Sequence, residues 1–121
     1  MLSLPVPIKI FVHTAATDMR KSFDGLSAIV TNFMGEDPLS GHMFLFLNKR
    51  RTHVKLLYWS GDGYALWYRR LERGTFEMPA AVCSSENEVP RLQISASQMA
   101  LLLDGIELSS ARRRKRYSRQ E

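Results

Sequence analysis

Three runs between residues 43 and 78 carry the clearest hydrophobic pattern in the chain. Residues 43–47, 53–59 and 64–71 are rich in β-branched, aromatic and leucine residues, and clusters able to turn the chain separate them. The spacing predicts a strand meander. Ser60-Gly61-Asp62-Gly63 supplies the residues that accept positive φ, so the second and third runs are expected to pair antiparallel across a tight hairpin. Asn48-Lys49-Arg50-Arg51-Thr52 is a less determined turn. Period-2 alternation sets Val54, Leu56 and Tyr58 on one face of the middle strand, with His53, Lys55, Leu57 and Trp59 on the other. In the next strand Ala65, Trp67, Arg69 and Leu71 lie opposite Tyr64, Leu66, Tyr68 and Arg70. Neither strand has a fully polar face, which implies cover on both sides or one face turned to a partner.

Upstream, Ile8-Lys9-Ile10-Phe11-Val12-His13 reads as a strand after two prolines. Asp18 then suits an N-cap, and Met19, Phe23, Leu26, Val30 and Phe33 recur at helical spacing until Gly35 ends the element. Gly25 in mid-helix points to a close backbone approach, with the sheet as the candidate neighbour. Arg20 and Lys21 fall in the predicted first turn, where the dipole disfavours cations but free amides suit an anion. Residues 36–41 form a loop, and 73–79 read as a short strand stopped by Pro79. Residues 80–90 are the least structured part of the body. Ser95 and Gln98 then make a capping box, Ile94 and Met99 its staple, and Leu102, Leu103 and Ile106 continue the stripe to Gly105. Ser95 is thus a cap and not a nucleophile.

These elements predict an α+β domain over residues 1–110. It has a mostly antiparallel sheet of four or five strands, one long helix packed on it, and a short C-terminal helix. A disordered basic tail follows over 111–121. With 121 residues, the chain has room for one core. Cys83 is its single cysteine, which excludes an internal disulfide and a cysteine metal cluster. His13, His42 and His53 lack ligand spacing, so no metal and no cofactor is expected. Neither a signal peptide nor a membrane-length apolar run is visible, and a soluble, cytoplasmic protein with no membrane or small-molecule partner is the expectation.

Charge changes the picture more than composition does. The net +5 resides in Ala111–Glu121, which holds six basic residues and one acid. The rest is neutral but segregated: residues 44–76 sum to +5, residues 77–110 to −4 and residues 1–43 to −1. Aromatics interleaved with cations suit nucleic acid, where phosphates take the charge and unpaired bases stack on rings. The same aromatics would equally fill a core, with the cationic stems over its rim. The candidate phosphate contacts are Arg20, Lys21, Lys49, Arg50, Arg51, Lys55, Arg69, Arg70 and Arg73, with Arg112, Arg113, Arg114, Lys115 and Arg116 from the tail. Trp59, Tyr64 and Trp67 are the candidate aromatic contacts. No catalytic constellation is specific, and an enzyme would need Asp24, Asp62 or Glu72 to converge.

Four blocks in order resemble a known family. They are Thr17-Asp18-Met19-Arg20-Lys21-Ser22-Phe23-Asp24-Gly25-Leu26, Asp37-Pro38-Leu39-Ser40-Gly41-His42-Met43-Phe44-Leu45-Phe46, Lys55-Leu56-Leu57-Tyr58-Trp59-Ser60-Gly61-Asp62-Gly63-Tyr64, and Arg69-Arg70-Leu71-Glu72-Arg73-Gly74-Thr75-Phe76. Together they are similar to the TnpB accessory proteins of the insertion-sequence-sixty-six family of bacterial mobile elements, which are distinct from the RNA-guided nuclease of the same name. Ser60 stands where that family commonly has aspartate, and Met78 where it has tryptophan. The resemblance implies a small non-catalytic protein that assists transposition beside a separate transposase. Binding to DNA is the leading expectation. An adaptor that docks on the transposase or a sister accessory protein without touching DNA is the alternative.

Overall fold

The computed structural model describes residues 7–78, 89–104, 106–107 and 112–113. Five strands form one sheet in the order β4-β3-β2-β1-β5: β1 Ile10–His13, β2 Met43–Leu47, β3 His53–Trp59, β4 Tyr64–Arg70 and β5 Arg91–Ile94. All neighbours are antiparallel except β1 and β2, which run parallel because the helix α1, Phe23–Asn32, crosses between them. A second helix, α2, spans Ala96–Asp104. A separate two-stranded pair joins β6, Ile106–Glu107, to β7, Arg112–Arg113.

Both faces of the sheet are apolar, so both are covered. Phe11, Phe44, Phe46 and Leu57 meet Leu26, Ile29, Val30 and Met34 of the α1 segment. On the opposite face Ile10, Val12, Leu45, Leu47, Val54 and Leu56 meet Phe76 and Leu102. Phe44, Phe46 and Phe76 are fully buried, and truncating a phenylalanine so placed costs about 3–5 kcal/mol.

Local chemistry explains most of the element ends. Gly35, at φ +66°, lets the Glu36 N–H donate to Val30 O and closes α1. Ser60 N donates to Gly63 O across a two-residue turn in which Gly61, at φ +105°, takes the left-handed position. The capping box forms in both directions: Ser95 N donates to Gln98 Oε1 at 2.9 Å and Gln98 N to Ser95 Oγ at 3.1 Å. Gly105, Cys83, residues 79–88 and the tail beyond Arg113 lie outside the described residues.

Four expectations are corrected. First, α1 starts at Phe23, so residues 18–21 are not its first turn. Asp18 instead turns the chain locally, its Oδ1 accepting from Arg20 N at 2.9 Å. With ten residues the helix is shorter than its periodicity suggests, and Phe23 and Phe33 are exposed. Second, Gly25 faces Lys21 and not the sheet: a Cβ there would lie 3.1 Å from Lys21 Cβ. Third, residues 73–78 form no strand. Phe76 leaves the ladder to plug the core, tied by its N–H to Arg51 O at 2.7 Å. Fourth, Ile106 does not continue the stripe of α2 but pairs, in Ile106–Glu107, with Arg112–Arg113 of the segment expected to be disordered. Arg91–Ile94, unread in the sequence, is the strand that flanks β1.

One buried charge locks α1's approach to the sheet. Lys55 is 7% exposed, and its Nζ donates to Met19 O at 2.8 Å and Lys21 O at 2.7 Å while lying 4.8 Å from the Tyr68 ring centre. Two carbonyls and a ring replace the lost water. Replacing Lys55 with Met keeps the stem and strands both carbonyls. Urea titration of Lys55→Met should show a loss of about 1–3 kcal/mol, and the amides of residues 18–22 should exchange faster than in the parent.

His13 supplies a pH dependence. It is 5% exposed, with Nδ1 3.1 Å from Pro90 O, so Nδ1 carries the proton and donates. Burial lowers its pKa below 6.5 and outweighs the carbonyl bond, which acts in the opposite direction. The unfolded chain therefore binds the proton first as pH falls, and stability contributed by neutral His13 is present above about 6.5 and lost below it. The melting temperature should drop from pH 7 to pH 5 in the parent and drop less in His13→Gln, compared by calorimetry.

Candidate nucleic-acid interface

The turn between β2 and β3 is built around one side chain. Asn48 Oδ1 accepts from Thr52 N at 2.9 Å and His53 N at 3.0 Å, and its Nδ2 donates to Thr52 Oγ1 at 3.1 Å. Arg51 N donates to Asn48 O, and Arg51 takes φ 58°, a left-handed conformation unusual for a residue with a side chain. With the backbone bonds turned inward, Lys49, Arg50 and Arg51 stand exposed.

The end of β4 lies beside this turn. His53 pairs with Arg70, Leu71 N donates to Thr52 O at 2.8 Å, and the Phe76 bond holds the returning chain against Arg51. Arg69, Arg70 and Arg73 are therefore at the same end of the sheet as Lys49, Arg50 and Arg51, all of them exposed. Glu72 offsets part of the charge by bonding Arg70 at 2.7 Å. Arg69 lies 5.1 Å from the Trp67 ring centre and donates to Leu103 O at 3.3 Å. A hollow of about 90 Å³ lined by His13, Thr14, Asn48, Lys49, Arg51 and Met78 opens beside the turn.

Other sequence candidates fall elsewhere. Lys55 is buried and already bonded to carbonyls, so it presents no charge at this surface. Arg20 is exposed but bidentate on Asp18, whose carboxyl it holds down to about 2. Because α1 begins at Phe23, neither Arg20 nor Lys21 lies in its first turn. Trp59 and Tyr64 stack edge to face at 5.1 Å, half-buried, at the opposite end of the meander. Trp67 stays 37% exposed in mid-strand. Tyr68, not singled out from sequence, is the most open ring of the meander at 51% exposure. Its signal was the shared parity with Arg70 beside it. Arg112 and Arg113 form β7, whereas Arg114, Lys115 and Arg116 lie outside the described residues.

The carboxylates that an enzyme would need are apart. Asp24 sits in the first turn of α1, Asp62 accepts from Ser60 Oγ at 3.1 Å in the hairpin turn, and Glu72 is beyond the far end of β4. Among the described residues no group of three or more His, Cys, Asp or Glu is placed to hold a metal ion. No helix among them is long and apolar enough to cross a membrane.

The sequence is similar to known proteins along most of its length. It is 32% identical over 100 residues to "Uncharacterized protein y4hO" of Sinorhizobium fredii (strain NBRC 101917 / NGR234), covering 83% of this chain and 82% of the relative. It is 30% identical over 107 residues to "Uncharacterized protein y4jC" of the same organism, covering 88% and 86%. No solved structure matches it. The family described as "IS66 Orf2 like protein" matches residues 8–113, which takes in every strand and helix above, and the chain belongs to that family of accessory proteins of IS66 elements.

Proposed function

We propose that this chain assists transposition by binding DNA, with the basic end of the sheet and the C-terminal basic segment as its contacts. The observation that carries the reading is the convergence of Lys49, Arg50 and Arg51 with Arg69, Arg70 and Arg73 at one end of the sheet, opposed there by Glu72. Backbone bonds to Asn48 prepay the ordering of the turn, so its three cations are presented rather than folded on contact. Neither helix is basic enough to lie in a major groove: α1 and α2 contain no lysine or arginine. Contacts to phosphate, insensitive to base sequence, are what this surface supplies.

A second reading rests on a different place. Between α1 and the end of β1, Ala15, Ala16, Gly25, Ala28, Ile29, Phe33 and Pro90, together with His13 and Lys21, line an open and mostly apolar groove, with Phe33 60% exposed. An adaptor would meet the transposase there, because the segments carrying α1 and α2 already cover both faces of the central strands.

Fluorescence anisotropy with duplex DNA across a salt series separates the two. The full chain should bind with a slope of log K against log salt near −5 or steeper, at about −0.9 per phosphate contact. Exchanging Lys49, Arg50 and Arg51 for Gln should make the slope shallower by about 2–3, and ending the chain at Ser110 should remove a further share. If the full chain fails to bind at low salt, DNA binding is wrong and the groove becomes the site to test against the transposase.

A further inference from the structure

The two edges of the sheet are unequal. At β5 the edge is four residues long and preceded by Pro90, a short and guarded strand. At β4 it is seven residues long, contains no proline or glycine, and begins Tyr-Ala-Leu-Trp-Tyr. Among the described residues no strand lies on its outer side.

Hydrogen-bond parity identifies the groups that face outward. Ser60 N donates to Gly63 O, and Leu71 N donates to Thr52 O, in the same register that pairs Leu56 with Trp67. Bonding pairs alternate along an antiparallel ladder, so Ala65, Trp67 and Arg69 bond to β3. The N–H and C=O groups of Tyr64, Leu66, Tyr68 and Arg70 therefore point away from the sheet.

We propose that β4 pairs with β4 of a second copy of this chain, antiparallel about a two-fold axis through Trp67. A two-fold axis perpendicular to the sheet keeps each side chain on its face, so it passes through a residue, and only Trp67 pairs all four outward residues. Tyr64 then lies opposite Arg70 of the second copy and Leu66 opposite Tyr68, and each pair occurs twice. The charge pattern fits this partner. Arg70 meets a tyrosine ring, Arg69 meets the small Ala65, and no arginine faces another, whereas pairing in parallel would align the arginines. Trp67 and Tyr68, exposed on opposite faces in the single chain, both become partly covered.

Disulfide trapping on the full chain tests the register. With Cys83 changed to Ser, Trp67→Cys places two thiols across a non-bonded pair about 4.5 Å apart between Cα atoms, within reach of a disulfide. Leu66→Cys and Tyr68→Cys do not meet themselves. The expected result is a crosslinked dimer for Trp67→Cys alone under mild oxidation, with the unmodified chain sedimenting at twice its 13.9 kDa mass at about 100 µM. Tyr68→Pro, which removes an outward N–H and spares the ladder to β3, should return the mass to one chain with the far-ultraviolet circular dichroism kept. A single-chain mass for the parent at that concentration, or crosslinking through Leu66→Cys or Tyr68→Cys in place of Trp67→Cys, overturns the proposal.

Discussion

The constraint on which this structure depends is that its central strands are apolar at both parities. In β2, Phe44 and Phe46 face one way and Leu45 and Leu47 the other, all buried. A strand like this cannot leave either face to water, so the sheet needs two covers. The crossover between parallel strands supplies α1 on one side. On the other side, α2 and the irregular segment carrying Phe76 complete the core. Among the described residues, the cationic turn lies at one end of the sheet and β4 at its edge, where these two covers are thinnest.

Elements whose chemistry is local were legible from sequence. The capping box, the glycine closing α1 and the Gly61 turn each depend on residues within six positions of one another. The strand runs of the meander were legible because both the alternation and the turn are local too. What was not legible depends on contacts distant in sequence. Residues 18–21 look like a helical first turn, yet two of their carbonyls go to an ammonium 34 and 36 residues away. Likewise β5 is too short to announce itself and exists because β1 offers it an edge.

The candidate site divides in the same way. Clustering of cations along the chain was visible, but which of them reach the surface is decided by the ladder. Lys55 and Arg70 lie on one face of the sheet, and only Arg70, beyond the reach of the carbonyls before α1, remains outside. Arg91 shows the converse. Read as an ordinary charge, it lies 5.4 Å from the Phe11 ring centre, donates to Met34 O and pairs with Glu36, tying β5 to the end of α1.

The order of strands across the sheet also has a consequence for how the chain is made. The hairpin of β3 and β4 closes over the two-residue turn Gly61-Asp62, so its pairing needs no residue made later in the chain. Ile10, by contrast, meets Ile94. Strand β1 is synthesised first and completed last, its outer edge unmet until nearly the whole domain has emerged. Closing that edge therefore joins residues from the two ends of the domain, Ile10 with Ile94 and His13 with Arg91, a pairing far more distant along the chain than any other in the sheet.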